Sequence, residues 1–264
     1  MDAKEKDNKI VMYLTKIVQD LGEKKYDSII VTIKELLQID EKADYYGIIG
    51  LAEFKLGYYE DAILHLNRAI ELEPRADYYC NLGLSKEAIK DKQGALEAYK
   101  SAVELNPSAV SYSSLAAVKY DLGEYLDAIV DYTHAIELDK NEDTYWGMRG
   151  LAKVRMGADE DAIVDYETAI KINPDEIEYY YRLANIYLAK KDYDKASNYY
   201  DKVIEYCNQR GGDVLDAVGV SYIVKCYLRY ARIKVVQGDF QKAQEMLTIA
   251  INKDPKLDVD NAGD

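Results

Sequence analysis

The sequence predicts an all-α fold, an α-solenoid of stacked helical hairpins, and three observations carry that prediction. Alanines 62, 95, 128, 162 and 196 recur at intervals of 33, 33, 34 and 34, each closing a block such as Gly57 to Ile63 or Gly123 to Ile129. Within every interval, small and apolar residues fall at spacings of three and four, which line one face of a helix. Gly57, Gly123, Gly157 and Gly238 fall between the paired helical stretches, and Pro74, Pro107, Pro174 and Pro255 close the units, as residues that end one helix and open the next should.

Taken in order, residues 1–42 read as a degenerate opening hairpin. From Ile10 to Glu41, Tyr13, Gly22, Tyr26, Ile29, Ile33 and Leu36 keep roughly the later register, with larger residues where alanine belongs. Full copies follow at 43–75, 76–108, 109–142, 143–176 and 177–208. Each carries a large aromatic early in its first helix (Tyr46, Tyr79, Tyr112, Trp146, Tyr180) and a small residue (Gly50, Gly83, Ala116, Gly150, Ala184) twelve ahead of the recurring alanine. Small residues at both positions let two helices meet backbone to backbone. Four residues past each alanine stands Leu66, Tyr99, Tyr132, Tyr166 or Tyr200, and three further on Ala69, Ala102, Ala135, Ala169 or Val203. A lone hairpin cannot bury that stripe, so neighbours must stack.

The sixth alanine, Ala243, comes after 47 residues rather than 34. Residues 209–255 are therefore read as a hairpin with an inserted loop and a lengthened first helix. The extra residues fall in Asn208 to Tyr222; Gly211 and Gly212 mark the loop, and Asp213 is expected to cap a helix running through Val236. Residues 256–264 are polar and are expected to form a flexible tail.

Composition narrows the function. With 34 Lys and Arg against 48 Asp and Glu, the net charge of −14 repels phosphate backbones and anionic lipid, so no nucleic-acid partner is expected. The N-terminal residues are densely charged and no apolar run approaches membrane-spanning length, which predicts a cytoplasmic protein without membrane insertion. Cys80, Cys207 and Cys226 are an odd number without metal-ligand spacing, so reduced structural thiols and no metal are expected. Tyr numbers 26 against two Phe and one Trp; tyrosines must fill the large aromatic positions, with hydroxyls that reach water or a partner.

The sequence carries no catalytic constellation: there is no phosphate loop, nucleophile elbow, zinc-protease motif or clustered Cys and His. His65 and His134 both fall on second helices and are expected as exposed fillers rather than catalysts. The acidic pairs Glu60-Asp61 and Glu160-Asp161 recur at one place in their repeats, where they complement a helix N-terminus. No enzymatic activity and no cofactor are expected. Arg149 stands where other copies have Ile49, Leu82, Leu115, Leu183 and Tyr230; a charge at that seam needs a partner, and Asp165 or Asp131 is expected to supply it.

From Ile10 to Pro255 these blocks resemble the tetratricopeptide repeat, in period and in the order of large aromatic, small residue, alanine, aromatic, alanine and proline. The resemblance implies a right-handed, gently curved superhelix whose first helices line a concave groove, and a non-enzymatic scaffold or adaptor that binds a protein or peptide there. The register then places Ile48, Leu51 and Phe54, then Asn81 and Leu84, then Ser114, Ala117 and Tyr120 on the groove, with Gly47 among them. Met148, Leu151 and Arg155, beside Gly147, and finally Tyr181, Arg182 and Asn185 complete the row. Apolar contacts would anchor an extended chain or a helix, and Asn81 and Asn185 could grip its backbone. Some members clamp a chaperone C-terminal carboxylate with Lys, Asn, Asn, Lys and Arg. Here only Asn81 matches in the first triplet, beside Gly47, Leu51, Val110 and Ser114, so that adaptor role is not expected. A competing expectation is a weak homo-oligomer, associating through the array end at Met246 and Ile249, unless Leu257 and Val259 cover it. A remote one is an enzyme or enzyme subunit with a cleft near the insertion.

Overall fold

In the computed structural model, which describes residues 3–209 and 221–254, the chain forms fourteen α-helices paired into seven antiparallel hairpins. It divides into two compact units, Met1–Asp139 and Lys140–Asp264. The first holds α1 (Ala3–Gly22) with α2 (Tyr26–Leu37), α3 (Ala43–Leu56) with α4 (Tyr59–Leu72), α5 (Ala76–Ala88) with α6 (Lys92–Leu105), and α7 (Ala109–Asp121) with α8 (Tyr125–Leu138). The second holds α9 (Asp143–Arg155) with α10 (Asp159–Ile172), α11 (Ile177–Ala189) with α12 (Tyr193–Gln209), and α13 (Tyr222–Val236) with α14 (Phe240–Lys253).

One turn makes all seven hairpins. The residue five ahead of the recurring alanine is left-handed each time: Gly57, Gly123, Gly157 and Gly238 have φ of 85°, 83°, 74° and 78°, and Lys24, Lys90 and Lys191 have 55°, 65° and 61°. The next backbone N–H reaches back five residues to close the helix end, as Tyr58 does to the Glu53 carbonyl (2.9 Å) and Asp91 to that of Lys86 (2.8 Å). In the opening hairpin the left-handed residue is Lys24; Gly22, which the sequence pattern singled out, ends α1 instead. Counting from Lys24 places Ile29 in the alanine column, with Ile17 twelve ahead of it, and both are buried.

The stripe residues form the core of each unit. Leu66, Tyr99, Tyr132, Tyr166 and Tyr200 are fully buried, as are the alanines around them. The small residue opposite makes room for them: a Cβ on Gly83 would sit 2.5 Å from the Tyr99 ring. Hairpins are joined by a second device. The Tyr78 ring packs on Gly47 of the preceding hairpin and its hydroxyl donates to Asp44 (2.8 Å). In the second unit Tyr179 packs on Gly147 and donates to Asp143 (2.6 Å). Gly47 and Gly147, which the register assigned to the groove, are thus buried under rings.

Three pairs of successive first helices touch: α3 meets α5, α5 meets α7, and α11 meets α13. Among the described residues no second helix makes an equivalent contact with the next second helix. Each stack therefore bends with its first helices on the inside. The lengthened hairpin differs from expectation at its start. Ser221 is extended (φ −62°, ψ 124°) and its Oγ accepts from the Val224 N–H (3.4 Å), so α13 begins at Tyr222 rather than at Asp213. It ends at Val236 as the pattern predicts. Gly211, Gly212, Asp213, Pro255 and the tail residues Leu257 and Val259 lie outside the described residues.

Candidate binding face

In four hairpins the face is held by a seam between the two helices. The residue nine ahead of the recurring alanine meets the one three beyond it. Glu53 lies 2.7 Å from His65, Lys119 2.5 Å from Asp131, and Lys153 2.7 Å from Asp165. In the fifth full copy the same positions hold Tyr187 and Tyr199, rings stacked 5.7 Å apart at 6°. Arg149 joins this seam: its Nε and terminal nitrogen bind the two Asp165 oxygens at 2.9 and 2.7 Å, while its guanidinium lies over Trp146. Asp165 is the expected partner, and Asp131 is engaged by Lys119 instead. Asp165 is 1% exposed, so its charge is stable there only because two cations face it.

The seam corrects the reading of one histidine. His134 is exposed, with its ring against Tyr112. His65 is half-buried, and its bond to Glu53 raises its pKa, with burial opposing. The signal lay in the sequence as opposite charges twelve apart, at Glu53 and His65, Lys119 and Asp131, and Lys153 and Asp165.

Most buried tyrosine hydroxyls find partners, as their number required. Tyr99 donates to Glu87 (2.6 Å), Tyr200 to Asn185 Oδ1 (2.7 Å) and Tyr230 to the Ser197 carbonyl (2.8 Å). Tyr132 is an exception, its hydroxyl buried without a hydrogen-bond partner. Burial pushes the Tyr99 and Tyr200 hydroxyls up, and for Tyr200 the nearby Arg229 and Arg232 pull the other way. Burial also pushes the Cys80 and Cys226 thiols up; Cys207 is buried in the same core as Cys226. Among the described residues no three His, Cys, Asp or Glu side chains group as metal ligands, and no helix is long and apolar enough to cross a membrane.

In the first unit the inner row is small and apolar. Ile48, Leu51, Phe54, Asn81, Ser114, Ala117 and Tyr120 are half-buried, and Leu84 is exposed at 39%. Phe54 and Tyr120 lean on Tyr59 and Tyr125 of their own second helices. In the second unit Met148, Leu151, Arg182 and Asn185 are half-buried and Arg155 is exposed. Tyr181 is buried at 8%, its ring against Tyr200 and Tyr222. Its side chain supports the face from beneath. Arg182 pairs with Glu178 one turn earlier (2.7 Å).

Sequence reasoning missed a cleft of about 700 Å³ between α11 and α13. Asn185, Leu188 and Lys191 line one side and Arg229, Arg232 and Val236 the other. A second cleft, about 580 Å³, lies among α12, α13 and α14 and includes Asp201, Tyr230 and Met246. Met246 and Ile249 are half-buried on α14.

Tetratricopeptide repeat models match residues 49–110 and 177–210, and a TPR repeat model matches 150–190. No curated protein matches the chain. Among solved structures, the chain is similar to MamA at 27% identity and a TM-score of 0.60, over 62% of this chain and 96% of that one. The C-terminal part of a TPR repeat-containing protein from Cytophaga hutchinsonii shares 15% identity with a TM-score of 0.78, over 95% of this chain and 99% of that one. YrrB, described as a TPR protein with an unusual peptide-binding site, shares 19% identity with a TM-score of 0.59, over 66% and 91%.

Proposed function

Since the chain belongs to the tetratricopeptide-repeat family, we propose that it is a non-enzymatic protein-interaction scaffold whose first-helix face captures a peptide or helix of another protein. One observation carries this reading: the first helices sit on the inside of each stack and keep apolar side chains uncovered, Leu51 and Leu151 in part and Leu84 as an exposed residue. Apolar surface of that kind gains from being covered, roughly 25 cal/mol per Å² removed from water. Half-covered Asn81 offers amide groups to a bound backbone. The peptide-binding site named for YrrB supports the same use of the fold. The buried charges are neutralised within the seam, so they serve packing rather than acid–base chemistry.

The test is Leu51→Glu combined with Leu84→Glu. Circular dichroism should report unchanged helicity and the partner should no longer be captured from native lysate. Capture of the same partner by the double variant contradicts the reading.

A second reading, self-association through the last hairpin, is favoured by apolar surface on α14: Phe240 is 69% exposed, and Met246 and Ile249 keep part of theirs. It predicts a mass that rises with concentration in sedimentation and falls back to the monomer in Phe240→Lys. A strict monomer at all concentrations removes it.

A further inference from the structure

The inner face of the first unit carries one acid without a counter-charge. Its first helices α3, α5 and α7 hold five acidic residues, Asp44, Glu53, Asp77, Glu87 and Asp121. Four of them face a basic side chain. Arg75 binds Asp44 (2.6 Å) and Asp77 (3.0 Å), His65 lies 2.7 Å from Glu53, and Lys92 lies 3.7 Å from Asp121. Glu87 has no ion pair among the described residues; the Tyr99 hydroxyl donates to its Oε2 (2.6 Å). It stands in the last turn of α5, where the helix dipole disfavours an anion. It is also half-buried, and burial raises its pKa, with the Tyr99 bond opposing. A carboxylate that is partly desolvated and unpaired gains from a cation brought to it.

A second group is aimed at the same place. Tyrosines of the buried stripe send their hydroxyls to the inner row of their own first helix: Tyr99 reaches Glu87, twelve positions earlier, and Tyr200 reaches Asn185, fifteen earlier. For Tyr132 the corresponding positions on α7 hold Tyr120, whose ring leans on Tyr125, and Ala117, whose methyl accepts nothing. The Tyr132 hydroxyl is therefore left without a hydrogen-bond partner, in a residue 2% exposed. Burial raises its pKa, and the charges of Asp121 and Glu87 raise it further, so the unpartnered oxygen lies in an acidic field. The surroundings suit a stem as well as a charge. Leu84, 39% exposed, precedes Glu87 by one turn on α5, α5 touches α7, and half-buried Ala117 has a methyl where Leu51, Leu84 and Leu151 carry longer side chains. An aliphatic chain ending in a compact ammonium matches this combination, since its N–H groups donate to carboxylate and hydroxyl oxygens alike.

We propose that Glu87 and the Tyr132 hydroxyl form a cation site on the inner face of the first unit, which receives a lysine ammonium of the captured segment while the lysine stem lies on Leu84 and Ala117. The inference rests on the proposed peptide-capturing role and adds the partner's chemistry: a lysine flanked by aliphatic residues.

The test is fluorescence anisotropy of the full chain with labelled, acetylated and amidated octapeptides of alternating Leu and Gln, in which one central Gln is kept or replaced by Lys or Glu. The Lys peptide should bind about tenfold tighter than the Gln peptide, the equivalent of one charge-assisted hydrogen bond. The Glu peptide should bind no better than the Gln peptide. Glu87→Gln, whose amide oxygen can still accept from Tyr99, should remove the preference for Lys. Glu97→Gln, exposed on α6, changes net charge as much and should leave the preference intact. Tyr132→Phe deletes a hydroxyl that has no partner, so the melting temperature should not fall, while the Lys peptide should bind about threefold more weakly. A Gln peptide with a free N-terminus should bind within about twofold of the acetylated one; a much tighter free form assigns recognition to a chain end and overturns the proposal. So do absent binding of the Lys peptide, equal binding of the Lys and Gln peptides, an equal loss in Glu97→Gln, or unchanged Lys binding in Tyr132→Phe. Equal binding of Lys and Gln peptides leaves the capture reading standing, whereas partner capture by the Leu51 and Leu84 double variant strikes that reading itself.

Discussion

The two units share a scaffold and differ on the face it presents. Both use a left-handed turn at the same repeat position, a buried stripe of Tyr, Leu and Ala, and a tyrosine packed on a glycine of the preceding hairpin with its hydroxyl on an aspartate. The inner row of the first unit is small and apolar, with a slight excess of acid on α3, α5 and α7. That of the second sets Arg155 and Arg182 beside Met148 and Leu151 and lies next to the cleft lined by Arg229 and Arg232. Positions that hold hairpins together are thus constrained to size and shape, while first-helix positions outside the seam are free to vary in chemistry.

The largest expected effect tests the seams. Asp165→Ala strands both Arg149 and Lys153, whereas Asp131→Ala strands Lys119 alone. Denaturant unfolding should show losses of about 3 and about 2 kcal/mol respectively, the second unit suffering more. Equal losses would mean that Arg149 gains nothing from its place in the seam. Next, Gly47→Ala and Gly147→Ala should each cost about 2 kcal/mol, because the added methyl meets the Tyr78 or Tyr179 ring. A cost in one unit only would break the claim that both use the same device.

Smaller effects sharpen the comparison of turns. Lys90→Gly in the first unit and Lys191→Gly in the second relieve a left-handed backbone and should each raise stability by about 0.5 kcal/mol, net of glycine's added freedom in the unfolded chain. An unchanged melting temperature in both would show that the turn costs lysine nothing. The smallest effect is a pH dependence confined to the first unit. The His65 pKa is raised by its bond to Glu53, so its stabilisation is fully present below the unfolded-state value of about 6.5 and is lost as pH rises through the higher folded value. Melting temperature should fall across that window in the parent and not in His65→Gln; parallel curves would contradict this.

Much of the fold was legible because repetition makes buried positions visible. The alanine column and its partner twelve residues earlier were readable as spacing alone, and they locate the core. The opening hairpin was harder: Ile17 and Ile29 replace the small pair, and Lys24 takes the place of the turn glycine, so Gly22 drew the eye instead. The start of α13 was misread because an acidic cap at Asp213 looked as suitable as Ser221. On the face, half-buried positions such as Leu51 and Asn81 follow from helical periodicity. Tyr181 and the two glycines do not, since neighbouring rings decide their burial. The α11–α13 cleft was invisible because its two sides lie far apart in the chain, Asn185 to Lys191 against Arg229 to Val236, separated by an insertion that breaks the period.

The most direct test of the account places a photo-crosslinking amino acid on either side of the stacks. First-helix positions Leu84 and Leu151 would be compared with second-helix positions Leu64 and Val164, which are 66% and 58% exposed. The account predicts that a bound protein partner is crosslinked from Leu84 and Leu151 and not from Leu64 or Val164. Crosslinks from the second-helix positions, with none from the first, would contradict it.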